Sequence, residues 1–180
     1  RGYGDRIGKL LQCGDSGGSV SRLIPIKTPC IGVCSTGIGD VVCRGCKRFS
    51  HEVIDWNGYS VPQKQAIDAR LDGFLAMCVR NKLRIVDQKL LDWQLSVQKI
   101  RHYKHHNPYS HLFALLKAGA NQISEPEHYG FEILPASRGS SLAQLRDQID
   151  EEFWILSSAH YDRYISTRDL FTGHVEEARG

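Results

Sequence analysis

Long apolar runs are missing from this chain. No stretch of its 180 residues approaches the roughly 20 apolar residues that a bilayer-spanning helix needs, so no membrane association of that kind is expected. Methionine occurs once, at Met77, and the chain begins at Arg1. A preceding segment is therefore expected, with any targeting signal in it. Internal repeats are missing too. So are a glycine-rich phosphate loop, a dinucleotide fingerprint and a nucleophile set beside a base. Six cysteines in 180 residues are too few for a disulfide-built scaffold. These absences point away from an enzyme and from a membrane protein.

What is present is ordinary in bulk. The chain is 41% hydrophobic and 24% charged, enough for one folded unit with a real core and a small appendage. The charge is uneven. Lys and Arg stand against Asp and Glu as 8 to 5 in residues 1–60, 10 to 4 in 61–120 and 5 to 11 in 121–180. In one reading the basic and acidic segments face each other across a single fold, or are simply solvated. In the other the basic 80–106 region offers a surface to nucleic acid. A net charge of +3 is modest for the second.

Residues 1–24 read as a flexible lead-in, rich in glycine and serine. They contain GDSGG at 14–18, the string around the nucleophile of trypsin-like serine proteases. That match fails, because those enzymes need His and Asp on barrel strands ahead of the serine, and only 15 residues precede Ser16. Residues 25–80 read as a cysteine-rich module with two helices. The first is a short helix capped by Ser50 and ending at Trp56. The second opens on the capping box Ser60/Gln63 and buries Ile67, Leu71, Phe74, Leu75 and Cys78. Residues 86–165 read as a helical domain. Its first helix is expected from Asp87 to about Tyr103, with Leu90, Trp93, Val97 and Ile100 inward. A shorter helix over 109–118, a strand at Phe131–Leu134 and a long helix from the capping box Ser141/Gln144 follow. Residues 166–180 read as a frayed tail. The fold class is thus mainly α: a small knuckle, then four to five helices and one short strand.

The unusual feature is the knuckle. Cys30, Cys34, Cys43 and Cys46 have the spacing C-x3-C-x8-C-x2-C. Each close pair can curl its backbone so that two sulfurs converge, and a loop of this length closes at little entropic cost. Four thiolates then meet around one ion or cluster and organise a segment poor in apolar residues. Two disulfides or four unliganded thiols are the competing arrangements, and the paired spacing favours a metal over both. Gly32 and Gly45 lie inside the two pairs, where tight turns need backbone freedom. Arg44, Lys47 and Arg48 can offset the negative charge of a thiolate centre and donate to its sulfurs, and Trp56 can shield it from water. Zinc and an iron–sulfur cluster both accept four thiolates. The spacing fits neither common ferredoxin run, which by itself leans toward zinc.

The segment Thr28-Pro29-Cys30-Ile31-Gly32-Val33-Cys34, then Cys43-Arg44-Gly45-Cys46, then Phe49 to Trp56 resembles the YdhL-like family of bacterial predicted iron–sulfur proteins, whose function is unknown. The resemblance covers roughly residues 27–75, and the four cysteines correspond one for one. It implies a metal-bound cysteine quartet and sets an iron–sulfur cluster level with zinc. It implies nothing about the rest of the chain.

Residues 101–111 hold four histidines among basic and aromatic residues. Arg101, Tyr103, Lys104, His105 and His106 are the candidates for gripping phosphates and stacking on bases. His102 and His106 at i, i+4 on a continuing helix would be a weak second metal site, since no carboxylate lies in the stretch and Lys104 would repel a cation. Cys78 reads as a buried inert thiol, Cys13 carries no assignment, and His160 to Arg163 read as a surface ion-pair cluster. The functional expectation is a non-enzymatic cytoplasmic metal-binding protein whose helices dock a protein or RNA partner. The alternative is a redox protein using an iron–sulfur cluster for electron transfer or oxidant sensing.

Overall fold

The structure, a computed structural model, describes residues 26–166. The readings of residues 1–24, with GDSGG and Cys13, and of the tail beyond Ser166 lie outside the described residues. Within them the chain is mostly helical, with five α-helices and a two-stranded sheet following the cysteine-rich segment. No helix there is long and apolar enough to cross a membrane.

The first helix, α1 (Ser50–Ile54), is short. Its N-cap is Phe49 rather than Ser50, and the Phe49 N–H donates to Glu52 Oε2 at 3.0 Å. A single turn of 3-10 helix at Trp56–Gly58 ends the segment. Helix α2 (Val61–Arg80) starts on the expected capping box. Ser60 N–H donates to Gln63 Oε1 at 2.8 Å and Gln63 N–H to Ser60 Oγ at 3.4 Å, satisfying two of the donors that a helix start leaves free. Ile67, Leu71 and Cys78 are buried on its inner face, with Phe74 and Leu75 packed beside them.

Strand β1 (Leu83–Ile85) follows, unforeseen, and pairs antiparallel with β2 (Phe131–Ile133) in the register Leu83↔Ile133 and Ile85↔Phe131. Helix α3 departs from expectation in length and in face. It spans Gln88–Val97 and buries Leu91 and Leu95, both 0% exposed, while Trp93 and Val97 lie 57% and 55% exposed. It stops because Lys99 takes a left-handed conformation, φ 54°. Ile100 N–H then reaches Leu95 O at 2.9 Å and Lys99 N–H reaches Ser96 O at 3.1 Å, a Schellman closure that turns Ile100 back onto the core.

Helix α4 (Pro108–Gly119) is capped by Asn107, whose Oδ1 accepts from Tyr109 N–H at 3.0 Å. Helix α5 (Leu142–Tyr161) begins on the capping box Ser141/Gln144 and runs into a short π-helical turn, Asp162–Ser166. It packs on α2 and α4, and one continuous core runs from Trp56 through Leu83, Leu91, Leu112 and Phe131 to Ile149 and Phe153.

The acidic face of α5 meets basic side chains from earlier in the chain. Lys47 Nζ lies 2.6 Å from Asp150, Arg44 3.4 Å from Glu151, and Lys82 2.7 Å from Glu152. Part of the charge imbalance along the sequence is thus neutralised across the fold.

Candidate metal centre

The Cys43-Arg44-Gly45-Cys46 turn is closed at its base by backbone pairing. Cys43 N–H donates to Arg48 O at 2.9 Å, Lys47 N–H donates to Cys43 O at 2.8 Å, and Val42 bridges Phe49. Lys47 adopts φ 59° to complete the turn. Cys43 and Cys46 are 2% and 8% exposed. Burial alone would raise the Cys43 pKa, but backbone N–H groups of Cys46, Ser35 and Gly45 and the Cys46 side chain outweigh it, lowering it to about 7. Such a ring of N–H donors stabilises thiolate over thiol. Cys46 goes the other way: burial raises its pKa, although Arg48 opposes the rise.

The first pair lies alongside. Cys30 and Cys34 are exposed, and each sulfur has a polar neighbour. Gly32 N–H donates to Cys30 Sγ at 3.4 Å, and Cys34 Sγ is 3.0 Å from Thr36 Oγ1. Gly32 sits at φ 90°, a backbone state that favours glycine. A 3-10 turn, Ser35–Ile38, returns the chain to the second pair. There Ser35 Oγ accepts from Arg44 N–H at 2.8 Å, and the Cys43 thiol points at Val33 O from 3.8 Å. The two arms touch at Gly45, where a Cβ would stand 2.6 Å from Val33 O. All five described cysteines are free thiols, so no disulfide joins the quartet. Among the described residues, no three of the four sulfurs come together as a set of donors for one ion. The second pair is assembled, and the first borders it.

The neighbouring side chains divide the roles differently from the sequence reading. Arg44 turns outward, with its guanidinium 3.6 Å from the centre of the Trp154 ring and paired to Glu151. Lys47 is buried, 2% exposed, and bound to Asp150. Both tie the knuckle to α5. Arg48 is the cation that serves a sulfur, donating from Nε to Cys46 Sγ at 3.3 Å. Trp56 lies under that guanidinium, 4.7 Å from ring centre to Cζ, and so reaches the sulfurs through Arg48. Arg48 Nη1 is buried with no hydrogen-bond partner among the described residues. Ser35 is the residue that sequence reasoning missed. Its small polar side chain next to Cys34 was the available signal.

Residues 101–107 are not helical, so His102 and His106 do not share a helix face. His102 Nδ1 instead lies 3.0 Å from Ile100 O. His106 N–H donates to Tyr103 O at 2.9 Å, a turn that aims the Nε2 atoms of His105 and His106 at Asp68 Oδ2, each at 2.9 Å. The missing carboxylate comes from α2. Burial would raise the Asp68 pKa, but the two histidines outweigh it and hold it below the usual range. For His106, burial is outweighed by Asp68 and Asp72, and its pKa is raised. Arg101, Tyr103 and Lys104 remain exposed.

A family model described as "Protein of unknown function (DUF1289)" matches residues 28–74. That range holds the four cysteines, α1 and most of α2. No curated protein and no solved structure matches the chain.

Proposed function

We propose that the chain is a metal-binding protein whose four-cysteine centre, Cys30, Cys34, Cys43 and Cys46, holds an iron–sulfur cluster or a structural zinc ion and serves as a non-enzymatic interaction module. The observation that carries this reading is the Cys43–Cys46 turn. N–H groups converge on a sulfur whose pKa falls to about 7, as a thiolate ligand requires. Two further features support it. Arg48, which donates from Nε to Cys46, also carries a buried Nη1 with no acceptor among the described residues; an anionic centre would supply one, removing a cost of about 1–3 kcal/mol. And Gly45 lets the arm carrying Cys30 and Cys34 lie against the turn.

When bound, the ion or cluster cross-links the two arms; an iron–sulfur cluster would add one-electron chemistry. The chain's own part is to ionise Cys43, to neutralise charge through Arg48, and to anchor the turn on α5 through Lys47 and Arg44. Exposed Ile31, Val33 and Ile38, at 58%, 70% and 87%, surround the first pair and support a protein partner there. Exposed Arg101, Tyr103 and Lys104 support the RNA reading. A redox role is the second reading, favoured by the exposure of Cys30 and Cys34, which leaves that side open to an electron donor or oxidant.

Protein purified without oxygen should carry stoichiometric zinc or iron. An iron–sulfur cluster gives a brown protein whose visible absorption bleaches on reduction, and zinc gives a colourless one. Serine at any one of the four positions should lower metal content. Absence of both metals, or content unmoved by all four substitutions, refutes the centre. For the RNA reading, affinity must fall as salt rises.

A further inference from the structure

We propose that Asp68, His105 and His106 form a second, separate metal site, taking a borderline divalent transition-metal ion through two imidazole nitrogens and one carboxylate oxygen. These three side chains present donor atoms that all lie within 4.8 Å of one another. They come from elements distant in sequence, α2 and the turn before α4, so the fold and not a local run assembles them. Two donors each about 2.1 Å from an ion and at right angles to each other stand about 3.0 Å apart. The observed Nε2 to Oδ2 separations are both 2.9 Å, so an ion fits between Asp68 and either histidine, and the two imidazoles, within 4.8 Å of each other, draw together to share it.

The surroundings suit a metal-bound His106 as they suit a protonated one. If both Nε2 atoms only donate to Asp68, a neutral His106 turns a bare Nδ1 toward Asp72 Oδ1, 3.7 Å away, acceptor against acceptor. An ion on Nε2 moves the proton to Nδ1, and the N–H then faces that carboxylate, the outer arrangement typical of metal-bound histidines. Asp72 is itself held in place, by Ser110 Oγ at 2.5 Å and by the Asn107 N–H at 3.0 and 3.2 Å. Asp68 and Asp72 together offset a dication. Lys104 is exposed in the turn and adds no buried positive charge.

Three protein ligands leave coordination positions for water or a small ligand. Two of the three ligands, Asp68 and His106, border a groove of about 1000 Å³ lined also by Asp72 and His111, which carries Cys30 and Cys46 as well. Soft sulfur and harder nitrogen–oxygen donors thus border one space, and they would sort different metals.

The site stands or falls independently of the four-cysteine reading, because cobalt reports the two differently. Thiolate-bound Co2+ shows strong sulfur-to-metal charge transfer; a nitrogen–oxygen site shows weak visible bands without it. Titrating the full chain with Co2+ at neutral pH should reveal one equivalent of the second kind, whether or not the first appears. Asp68→Asn, His105→Gln and His106→Gln should each raise its Kd at least about tenfold, leaving any thiolate signal in place. Where a variant fails to fold, the wild-type protein decides: bound Co2+ should give the ring protons of His105 and His106 the large contact shifts of direct coordination, which a cobalt held by sulfur does not. Unshifted resonances, a missing second equivalent, or an affinity unmoved in all folded variants overturns the site.

Discussion

Replacing Gly45 by alanine probes the contact between the two cysteine arms. The new Cβ would lie 2.6 Å from the Val33 carbonyl oxygen and 3.1 and 3.2 Å from two carbons of Ile31. Carbon–oxygen contacts ordinarily begin near 3.3 Å, so the carbonyl must retreat by about 0.7 Å. Ile31 is an exposed side chain and can yield; Val33 O is backbone, and the arm moves with it. Overpacking of this kind costs about 1–3 kcal/mol. Alanine also gains about 0.4–1 kcal/mol by restricting the unfolded chain. Gly37 isolates that gain, since a Cβ there meets nothing within 4 Å. Urea denaturation should therefore find Gly37→Ala neutral or slightly stabilised and Gly45→Ala about 1–3 kcal/mol below it. In a domain of this size that difference is roughly 2–4 °C of Tm per kcal/mol. Moving the arm also carries Cys30 and Cys34 away, so chelator competition should show weaker metal binding in Gly45→Ala alone. Equal stability and equal metal affinity in the two variants would refute the claim that the arms are pressed together at Gly45.

Glu52 is 6% exposed in its side chain and holds Arg70 through two hydrogen bonds, 2.5 and 2.7 Å, besides capping α1. Glu52→Ala strands the guanidinium over the Phe49 ring and should cost about 3–5 kcal/mol by equilibrium unfolding. In metal-free protein, thiolate ultraviolet absorbance should show a first ionisation near pH 7 from Cys43, lost in Cys43→Ser. Because that folded pKa is lowered, its contribution to stability is full above the unfolded thiol pKa and lost as pH falls through about 7. Cys78, raised to about 11 by burial, should resist alkylation until the chain unfolds. NMR titration should place His106 above the usual imidazole pKa of about 6.5 and His111 below it. The His106 pairing with Asp68 and Asp72, next to His105, then stabilises fully below that ordinary value and is lost as pH rises through the raised one. Asp68→Asn should remove the upward shift.

The sequence announces its local chemistry well. Both capping boxes and the inner face of α2 are short-range patterns, and the structure keeps them. It announces α3 poorly, because the helix ends on Lys99 rather than on glycine and no residue type marks the stop. Trp93 and Val97 then mimic an inward stripe that the shorter helix turns outward. Strand β1 escapes notice because three residues carry too little alternation to separate it from a helix end. At the site, the cysteine spacing is legible and the division of labour is not. Arg44, Lys47 and Arg48 are interchangeable on paper; only the packing of α5 decides that two face acidic partners and one faces sulfur. Asp68 and Asp72 could not be paired with the histidines from spacing, since 37 residues separate Asp68 from His105.

The staples between knuckle and α5 also set a timetable. Lys47 and Asp150 are 103 residues apart, and Val42, which accepts from Trp154 Nε1–H, lies 112 residues before it. At ~5–20 residues per second, a ribosome delivers the cysteines about 5–20 s ahead of the helix that closes over them. A nascent chain thus carries Cys43 and Cys46 uncovered until the α5 clasp forms, whereas in the finished fold those two are buried and only Cys30 and Cys34 stay exposed. Were the quartet to hold an ion, the second pair would be reached most easily during synthesis.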